Sequence, residues 1–306
     1  MRLLVVGAGA VGGYFGARLA KAGRDLTLLV RPKRAAQLRE HGLKIKSPHG
    51  DVTLAPQLVT ADQIASAYDV VLLSVKAFAL DAALEDLAPA VGPQTMILPV
   101  LNGMKHMDAL IARFGADAVI GGVCKIASTI DDDGRILQLA KFHELAYGEM
   151  DGSVTGRMKE LDAVMQGAGF TAHLSSSIAH EMWEKWVFLA SLGGVTCLMR
   201  GTIGEIAAAP GGVDFVLQFI GEVGSIATAC GFAPSETFVA DIAASLTKTS
   251  SPHTSSMYRD LQRGSPIEAD QIIGDLLARG RQAGLQAPLL AAAYAHLCVY
   301  QNRLGA

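Results

Sequence analysis

Closely spaced cysteines are absent from this chain. Its four cysteines, Cys124, Cys197, Cys230 and Cys298, lie far apart, and none belongs to a C-x-x-C pair. Structural zinc sites and disulfide frameworks both need cysteines at close, regular spacings. The sequence therefore predicts neither a metal site nor disulfide bonds, and it favours a reducing cytoplasm as the location of the protein.

An excess of positive charge is also missing. The 26 basic and 29 acidic residues leave a formal charge of −3 at pH 7, and Arg31, Lys33 and Arg34 form the only compact basic cluster. Nucleic-acid and membrane surfaces call for larger basic patches, so neither is an expected partner. A small-molecule substrate is the better expectation.

Apolar runs long enough for a membrane are absent as well. The uncharged run at residues 187–199 is too short to span a bilayer, which takes about 20 apolar residues. The apolar start of the chain lacks the basic region that precedes a signal peptide. With 306 residues, half of them hydrophobic, the chain is expected to be a soluble protein of two domains.

Glycine is abundant, and three glycines near the start form the first motif. After the apolar residues 3–6, Gly7, Gly9 and Gly12 have the spacing G-x-G-x-x-G, and a helix-like pattern follows to about residue 22. The first glycine of such a motif allows a turn, the second admits a pyrophosphate, and the third lets helix and strand pack closely. The amides of Ala10 and Val11 at the helix start are then expected to face the phosphates. An ordinary glycine-rich turn is less favoured because the motif directly follows an apolar strand.

The next strand, at residues 25–30, ends where the two nicotinamide cofactors are distinguished. About twenty residues after the glycines, an acidic residue usually binds the ribose of NAD, whereas an arginine accommodates the 2′-phosphate of NADP. Arg31 stands at that position, and no carboxylate is close by. The sequence therefore predicts NADP(H) rather than NAD(H).

Two more apolar segments, at residues 69–75 and 95–100, have the pattern of buried parallel strands. They are followed by Lys76 and Asn102. Ligands of open α/β sheets collect beyond the carboxyl ends of strands, so both side chains are expected near the nucleotide. The residues alone leave a surface lysine and a turn asparagine equally open.

The remaining pattern predicts the fold class. A hairpin at residues 43–55 and short strands at 119–130, 135–141 and 144–147 are expected to complete the first domain as an antiparallel extension. From about residue 177 helical periodicity prevails, interrupted at residues 193–194, 210–212 and 250–253. We therefore predict an α/β Rossmann-type N-terminal domain, residues 1–174, followed by a mainly α-helical C-terminal domain, residues 175–306.

Three candidate sites in the second half have ordinary structural explanations. Lys185 shares a helical stripe with Ile178, Met182 and Leu189, where burial would lower its pKa and suit it to proton transfer. A surface ion pair with Glu181 is the default interpretation. Glu268 ends the pattern S-P-I-E, which predicts a capping box at the start of a helix over residues 269–282. His253, Ser255 and Ser256 lie in a polar loop that the sequence alone would not select.

Taken in order, several short motifs resemble the ketopantoate reductase family. They are GAGAVG at residues 7–12, VK at Val75 and Lys76, LNGM at residues 101–104, W-x-K at residues 183–185, SSM at residues 255–257, and Glu268 in the pattern S-x-x-E-x-D. Each is weak singly, but the ordered set is specific and extends over almost the whole chain. The resemblance implies NADPH-dependent reduction of 2-dehydropantoate to pantoate, a step of pantothenate biosynthesis.

The resemblance also implies roles for individual residues. Gly7, Gly9 and Gly12 would hold the pyrophosphate and Arg31 the 2′-phosphate, while Lys76 and Asn102 would line the cofactor and substrate crevice. Lys185 corresponds to the general acid, which protonates the substrate oxygen as hydride arrives. Ser256 and Glu268 correspond to residues that hold the substrate, and Glu268 would also tune the lysine.

Four expected asparagines are missing from this pattern. Their positions hold Leu189, Gly193, Ile203 and His253. Each lost hydrogen bond to a substrate costs about 0.5–1.5 kcal/mol, so the substrate pocket is expected to be altered and more apolar. His253, Thr196 or Thr202 is left open as a replacement contact.

The functional prediction is a reductase of 2-dehydropantoate or a close analogue, with a homodimer formed through the helical half left open. One alternative is a reductase of a different, less polar 2-oxo acid. Another is a non-catalytic NADP(H)-binding sensor, against which Lys185, Ser256 and Glu268 count together. A third, oxidation of a 3-hydroxy acid, is less favoured because LNGM and SSM do not belong to that pattern.

Overall fold

The computed structural model describes residues 1–305. Two compact units make up the chain. The first comprises Met1–Leu101 and His106–Ala179, and the second comprises Asn102–Lys105 and the chain from His180 onwards. The four residues Asn102–Lys105 thus belong to the second unit although they follow a strand of the first. The cofactor and substrate roles assigned to residues 1–174 and 175–306 stay predictions.

A parallel five-stranded sheet forms the centre of the first unit. Its strands are β1 (Leu3–Val6), β2 (Leu26–Leu29), β5 (Gln57–Val59), β6 (Val70–Leu73) and β7 (Met96–Pro99). Their order is β5-β2-β1-β6-β7, with β1 in the middle. All residues of β1, β6 and β7 are buried, because helices cover both faces of a parallel sheet.

The second sheet of this unit is mixed. Its strands are β3 (Leu43–Lys46), β4 (Val52–Leu54), β8 (Gly121–Ile130), β9 (Ile136–Gly148) and β10 (Thr171–Leu174). The predicted hairpin of β3 and β4 is confirmed. The predicted antiparallel extension is wrong in part, because β9 pairs antiparallel with β8 but parallel with β3 and β10.

Strand β9 also replaces two predicted short strands. It runs unbroken for 13 residues through Lys141, Phe142 and His143. The ladder between β8 and β9 shifts register between Ile126 and Ser128. A bulge of this kind absorbs a mismatch in length without ending either strand, which the sequence pattern did not indicate.

Helices account for the rest of the chain. Those up to residue 165 are α1 (Gly12–Lys21), α2 (Pro32–His41), α3 (Leu80–Leu87), α4 (Lys105–Phe114) and α5 (Gly156–Met165). The later ones are α6 (Ile178–Met199), α7 (Ile203–Ala208), α8 (Gly212–Ala229), α9 (Glu236–Leu246), α10 (Ser256–Gln262), α11 (Asp275–Gln282) and α12 (Pro288–Leu304), with a π-helical segment at Asp270–Gly274 before α11. The predicted α/β first half and helical second half are both confirmed. In residues 1–305, no helix is long and apolar enough to cross a membrane.

Two sequence predictions for the helical unit are wrong. The pair Gly193 and Gly194 does not interrupt α6, which runs unbroken over Ile178–Met199. A Cβ on Gly194 would lie 2.2 Å from the ring of Phe219 on α8. Glycine therefore serves close packing here. Ser265 does not cap a helix, because helical structure begins only at Ala269. Instead, the backbone of Ser265 is bound from α12, where the Tyr300 hydroxyl donates to the carbonyl of Ser265 at 2.8 Å.

A polar cluster lies between α1 and the mixed sheet of the first unit. The Tyr14 hydroxyl is 2.8 Å from Gln138 Oε1 and 2.7 Å from His143 Nδ1. The rings of His143 and His49 stack with 3.8 Å between their centres. Burial, together with the nearby His49 and Arg18, lowers the pKa of His143 below its usual 6.5.

This cluster makes stability depend on pH. A histidine with a lowered folded-state pKa binds its proton more weakly than in the unfolded chain, so its contribution is present above about pH 6.5 and is lost below it. We expect the free energy of unfolding in urea to fall between pH 7.5 and pH 5.5. The fall should be smaller in His143→Asn, whereas His41→Asn, at an exposed position of α2, should behave as wild type. An equal fall in all three proteins would contradict this assignment.

Candidate functional site

The glycine turn after β1 has the close packing that its spacing predicts. Gly7 has a φ of +96°, which favours glycine. A Cβ on Gly12 would lie 1.9 Å from Ser74 Oγ and 2.3 Å from the carbonyl oxygen of Gly7. Ser74, which follows β6, has its hydroxyl 3.0 Å from the carbonyl oxygens of Val6 and Gly7. Helix α1 therefore begins directly against the ends of β1 and β6.

Gly9 differs from Gly7 and Gly12 because the space that a Cβ would occupy beside it is open. A Cβ there would meet no atom of residues 1–305 within 4 Å. Over the same described range, α1 has no side-chain cap at Val11 and no acidic residue in its first turn. An open backbone surface at an uncapped helix N-terminus is suited to a pyrophosphate, so these residues fit a dinucleotide.

Arg31 and Lys76 follow strands β2 and β6, at the same edge of the sheet as this turn. Val6 is opposite Leu29 of β2 and Leu73 of β6 in parallel register. Arg31 is exposed at the start of α2, and Lys76 is exposed at the end of the segment that follows β6. The structure thus brings the glycines, Arg31 and Lys76 to one edge.

Arg34 is a residue that the sequence did not select as a site. Its guanidinium lies 3.4 Å from the carbonyl oxygens of Ala8 and Gly134 and 2.6 Å from Gln37 Oε1. It therefore links α2 to the glycine turn, and its place in the basic cluster was the only signal in the sequence.

Asn102 lies in a turn that packs on the π-helical segment of the second unit. Gln271 Nε2 donates to the carbonyl oxygen of Asn102 at 2.8 Å. Gly103 has a φ of +75°, and a Cβ on it would lie 2.3 Å from the carbonyl oxygen of Gln271. The turn and the segment are therefore in direct backbone contact.

Lys185 lies half-buried on α6 beside two buried tryptophans. The ring of Trp183 stacks on Phe232 with 5.1 Å between centres, and Trp186 is 1% exposed. Trp186 Nε1 donates to the carbonyl oxygen of Ile272 at 2.9 Å. The backbone around Lys185 is thereby fixed to the π-helical segment.

Glu268 lies two residues before that segment and is 8% exposed. The amide of Ile272 donates to its carbonyl oxygen at 3.1 Å. A buried carboxylate is rare unless polar partners surround it. The burial of Glu268 therefore favours a functional role for this residue over a role as a helix cap.

His253 lies in the polar loop that precedes α10, and Ser256 directly follows this loop. Ser256 is exposed as the first residue of α10, while Ser255 caps that helix and lies 3.0 Å from Thr196 Oγ1. The ring of His253 is 6.3 Å from that of Phe188 on α6, and burial lowers its pKa. His253 and Ser255, the residue before Ser256, thus both contact or lie near α6.

The positions of the missing asparagines are apolar or closed. Leu189 is half-buried, Ile203 is fully buried, and a Cβ on Gly193 would lie 2.9 Å from Met257 Cε. The hydroxyl of Thr196 donates to the carbonyl of Leu192 at 2.6 Å, and Thr202 caps α7. Both threonines are therefore already engaged in structural hydrogen bonds.

Comparison with known proteins finds one family along the chain. Residues 3–152 match the profile described as "Ketopantoate reductase PanE/ApbA", and residues 177–301 match its C-terminal counterpart. An uncharacterized oxidoreductase, YkpB of Bacillus subtilis, is 35% identical over 98% of this chain and 99% of its own length. A 2-dehydropantoate 2-reductase of Nostoc is 26% identical over 98% of this chain and 95% of its own.

A solved structure has the same fold over the whole chain. The 2-dehydropantoate 2-reductase of Geobacter metallireducens superposes with a TM-score of 0.88 and 30% identity, covering 98% of this chain and 99% of that one. The predicted α/β and helical halves are therefore those of known reductases.

The contrast between Gly9 and Gly12 gives a test of the glycine turn. We expect Gly9→Ala to keep the melting temperature of wild type but to weaken NADPH binding about tenfold or more, because its methyl group enters the space for the pyrophosphate. Gly12→Ala should unfold at lower temperature because its Cβ overlaps Ser74 and Gly7. Thermal unfolding and NADPH fluorescence titration measure both effects.

Gly221→Ala is the matched control, since a Cβ at that position of α8 also meets no described atom within 4 Å. It should leave the NADPH affinity unchanged and should raise the stability only slightly. Wild-type NADPH affinity in Gly9→Ala would contradict the assignment.

Proposed function

The chain belongs to the ketopantoate reductase family of NADP-dependent oxidoreductases, and on that premise we propose that it reduces 2-dehydropantoate or a close analogue, with Lys185 as general acid. The observation that carries the proposal is the common anchoring of Asn102, Lys185 and Glu268. Each is joined, directly or through a neighbouring residue, to Gln271 or Ile272. A protein that only bound NADP(H) would have no need of this arrangement.

The cofactor residues follow from the edge of the parallel sheet. The open backbone at Gly9, with the amides of Ala10 and Val11, would bind the pyrophosphate, and Gly7 and Gly12 would make the turn possible. Arg31 would bind the 2′-phosphate, because its side chain is exposed whereas that of Arg34 contacts Gln37 and two carbonyl groups. Lys76 and Asn102 would line the crevice next to the nicotinamide and substrate.

Reduction of a 2-oxo acid needs one hydride and one proton. Bound NADPH would supply the hydride to the ketone carbon. The ammonium of Lys185 would donate the proton to the ketone oxygen, and its positive charge would stabilise the negative charge that develops there. Lys185 would then recover a proton from solvent.

Glu268 would act beside the lysine. Its carboxylate is buried, and its backbone is fixed to Ile272. A negative charge near an ammonium favours the protonated form, so Glu268 would keep Lys185 ready to donate. Asn102, Ser256 and His253 would hold the substrate.

The substrate pocket favours a less polar 2-oxo acid as the second candidate. Leu189, Gly193 and Ile203 supply no side-chain hydrogen-bonding group, and Thr196 and Thr202 are used elsewhere. His253 is the one remaining candidate for a replacement contact. A homodimer and a cytoplasmic location stay predictions.

Replacing Lys185 tests the chemical step. We expect Lys185→Ala to lower kcat/KM for the best 2-oxo acid by about 10²–10⁴-fold, the usual size of general acid catalysis, while NADPH affinity changes less than about twofold. Lys248→Ala, at an exposed position in the second unit, should resemble wild type in both measurements. Undiminished turnover in Lys185→Ala would exclude it as the general acid, and absence of turnover in wild type would favour the sensor alternative.

Restoring an asparagine tests the substrate assignment. We expect Gly193→Asn to raise kcat/KM for 2-dehydropantoate about threefold to tenfold, because one regained hydrogen bond is worth about 0.5–1.5 kcal/mol. A Cβ at Gly193 meets only the flexible end of Met257, which can move aside to admit a side chain. Steady-state kinetics over a panel of 2-oxo acids would measure the change in preference.

Leu189→Asn should act in the same direction. Gly194→Asn is the control, since its side chain would overlap Phe219 and should lower stability without any gain in activity. A wild-type enzyme that already prefers 2-dehydropantoate strongly, and that gains nothing from either asparagine, would contradict the altered pocket.

A further inference from the structure

The π-helical segment Asp270–Gly274 departs from regular helix geometry. The amide of Asp275 donates to the carbonyl of Asp270, five residues earlier rather than four. A wider turn of this kind accommodates one additional residue and is often found at functional sites. Here it lies two residues after Glu268.

Gln271, inside this segment, makes the side-chain bond to the Asn102 turn. It is 3% exposed, and its Nε2 donates to the carbonyl oxygen of Asn102 at 2.8 Å. The backbone of Gly103 packs on the carbonyl of the same residue, where a side chain would not fit. One residue therefore fixes both halves of the Asn102–Gly103 turn.

Gln271 is also adjacent to the bonds that fix Lys185 and Glu268. Its neighbour Ile272 accepts a hydrogen bond from Trp186, next to Lys185, and donates one to the carbonyl of Glu268. A displacement of the Asn102 turn relative to these two residues is thus opposed by the contacts at Gln271.

We propose that Gln271 is a positioning residue, which holds the Asn102 turn against the π-helical segment that follows Glu268. This inference rests on the proposed function, since it acts through Asn102. A glutamine suits the task because its amide donates a hydrogen bond without carrying charge at any pH, and so adds none beside Glu268. An apolar side chain of equal length would leave the partly buried carbonyl of Asn102 without this donor.

Hydrogen exchange tests the physical link without reference to activity. Gln271→Met keeps the side-chain length and removes the donor, and Gln282→Met is the matched control at an exposed position of α11. We expect exchange of the amides at residues 102–104 to be about fivefold faster or more in Gln271→Met and unchanged in the control. Unchanged exchange in Gln271→Met would overturn the proposal.

A double-mutant cycle tests positioning against a merely structural role. Gln271→Met should lower kcat/KM for the best 2-oxo acid about tenfold in the wild-type background but less than about twofold in Asn102→Ala, because residues acting through one another are not additive. Equal losses in both backgrounds, or no loss in wild type, would overturn the proposal. Gln271→Leu, which also has no donor, serves the same purpose if the methionine variant does not fold.

Failure of the proposed function gives a different result. A wild-type protein that reduces no 2-oxo acid would contradict that function, and the same cycle would then be measured on the dissociation constant of NADPH. Coupling between Gln271 and Asn102 in that constant would support positioning, and additive or absent effects would refute it.

Discussion

The approach of α1 to the ends of β1 and β6 is the constraint on which the first unit depends. Gly12, the carbonyl of Gly7 and the hydroxyl of Ser74 occupy a space that leaves no room for one further carbon atom. Because this contact fixes the start of α1, the uncapped helix N-terminus lies at the edge where β1, β2 and β6 end. The surface that we propose for the dinucleotide is thus a consequence of backbone packing.

In the second unit, side-chain hydrogen bonds contribute to fixing the candidate residues. These bonds run from Trp186 to Ile272 and from Gln271 to Asn102. Side chains can be exchanged one at a time, whereas a backbone contact cannot.

Local signals in the sequence predicted the strands, the glycine turn and the helical second half, because each depends on apolar periodicity or on glycine spacing. The unbroken β9 was missed because its residues around Lys141–His143 do not alternate as a strand should, and their place in the sheet depends on pairing with β8 across a shift of register that apolar periodicity does not report. Gly194 was taken for a helix break, since the ring of Phe219 that requires it is 25 residues away. Gln271 and Ser74 gave no signal at all, because their importance lies in contacts with carbonyl groups that any residue could supply.

Trp183 and Trp186 are the only tryptophans in the chain, and both are buried on α6. Intrinsic tryptophan fluorescence therefore reports on the helical unit alone, whereas circular dichroism reports on both. A change in the emission spectrum during unfolding therefore reports a change in the surroundings of α6. A comparison of the two signals during denaturation thus separates the two units without labels, and the indoles beside Lys185 provide a built-in optical probe of its surroundings.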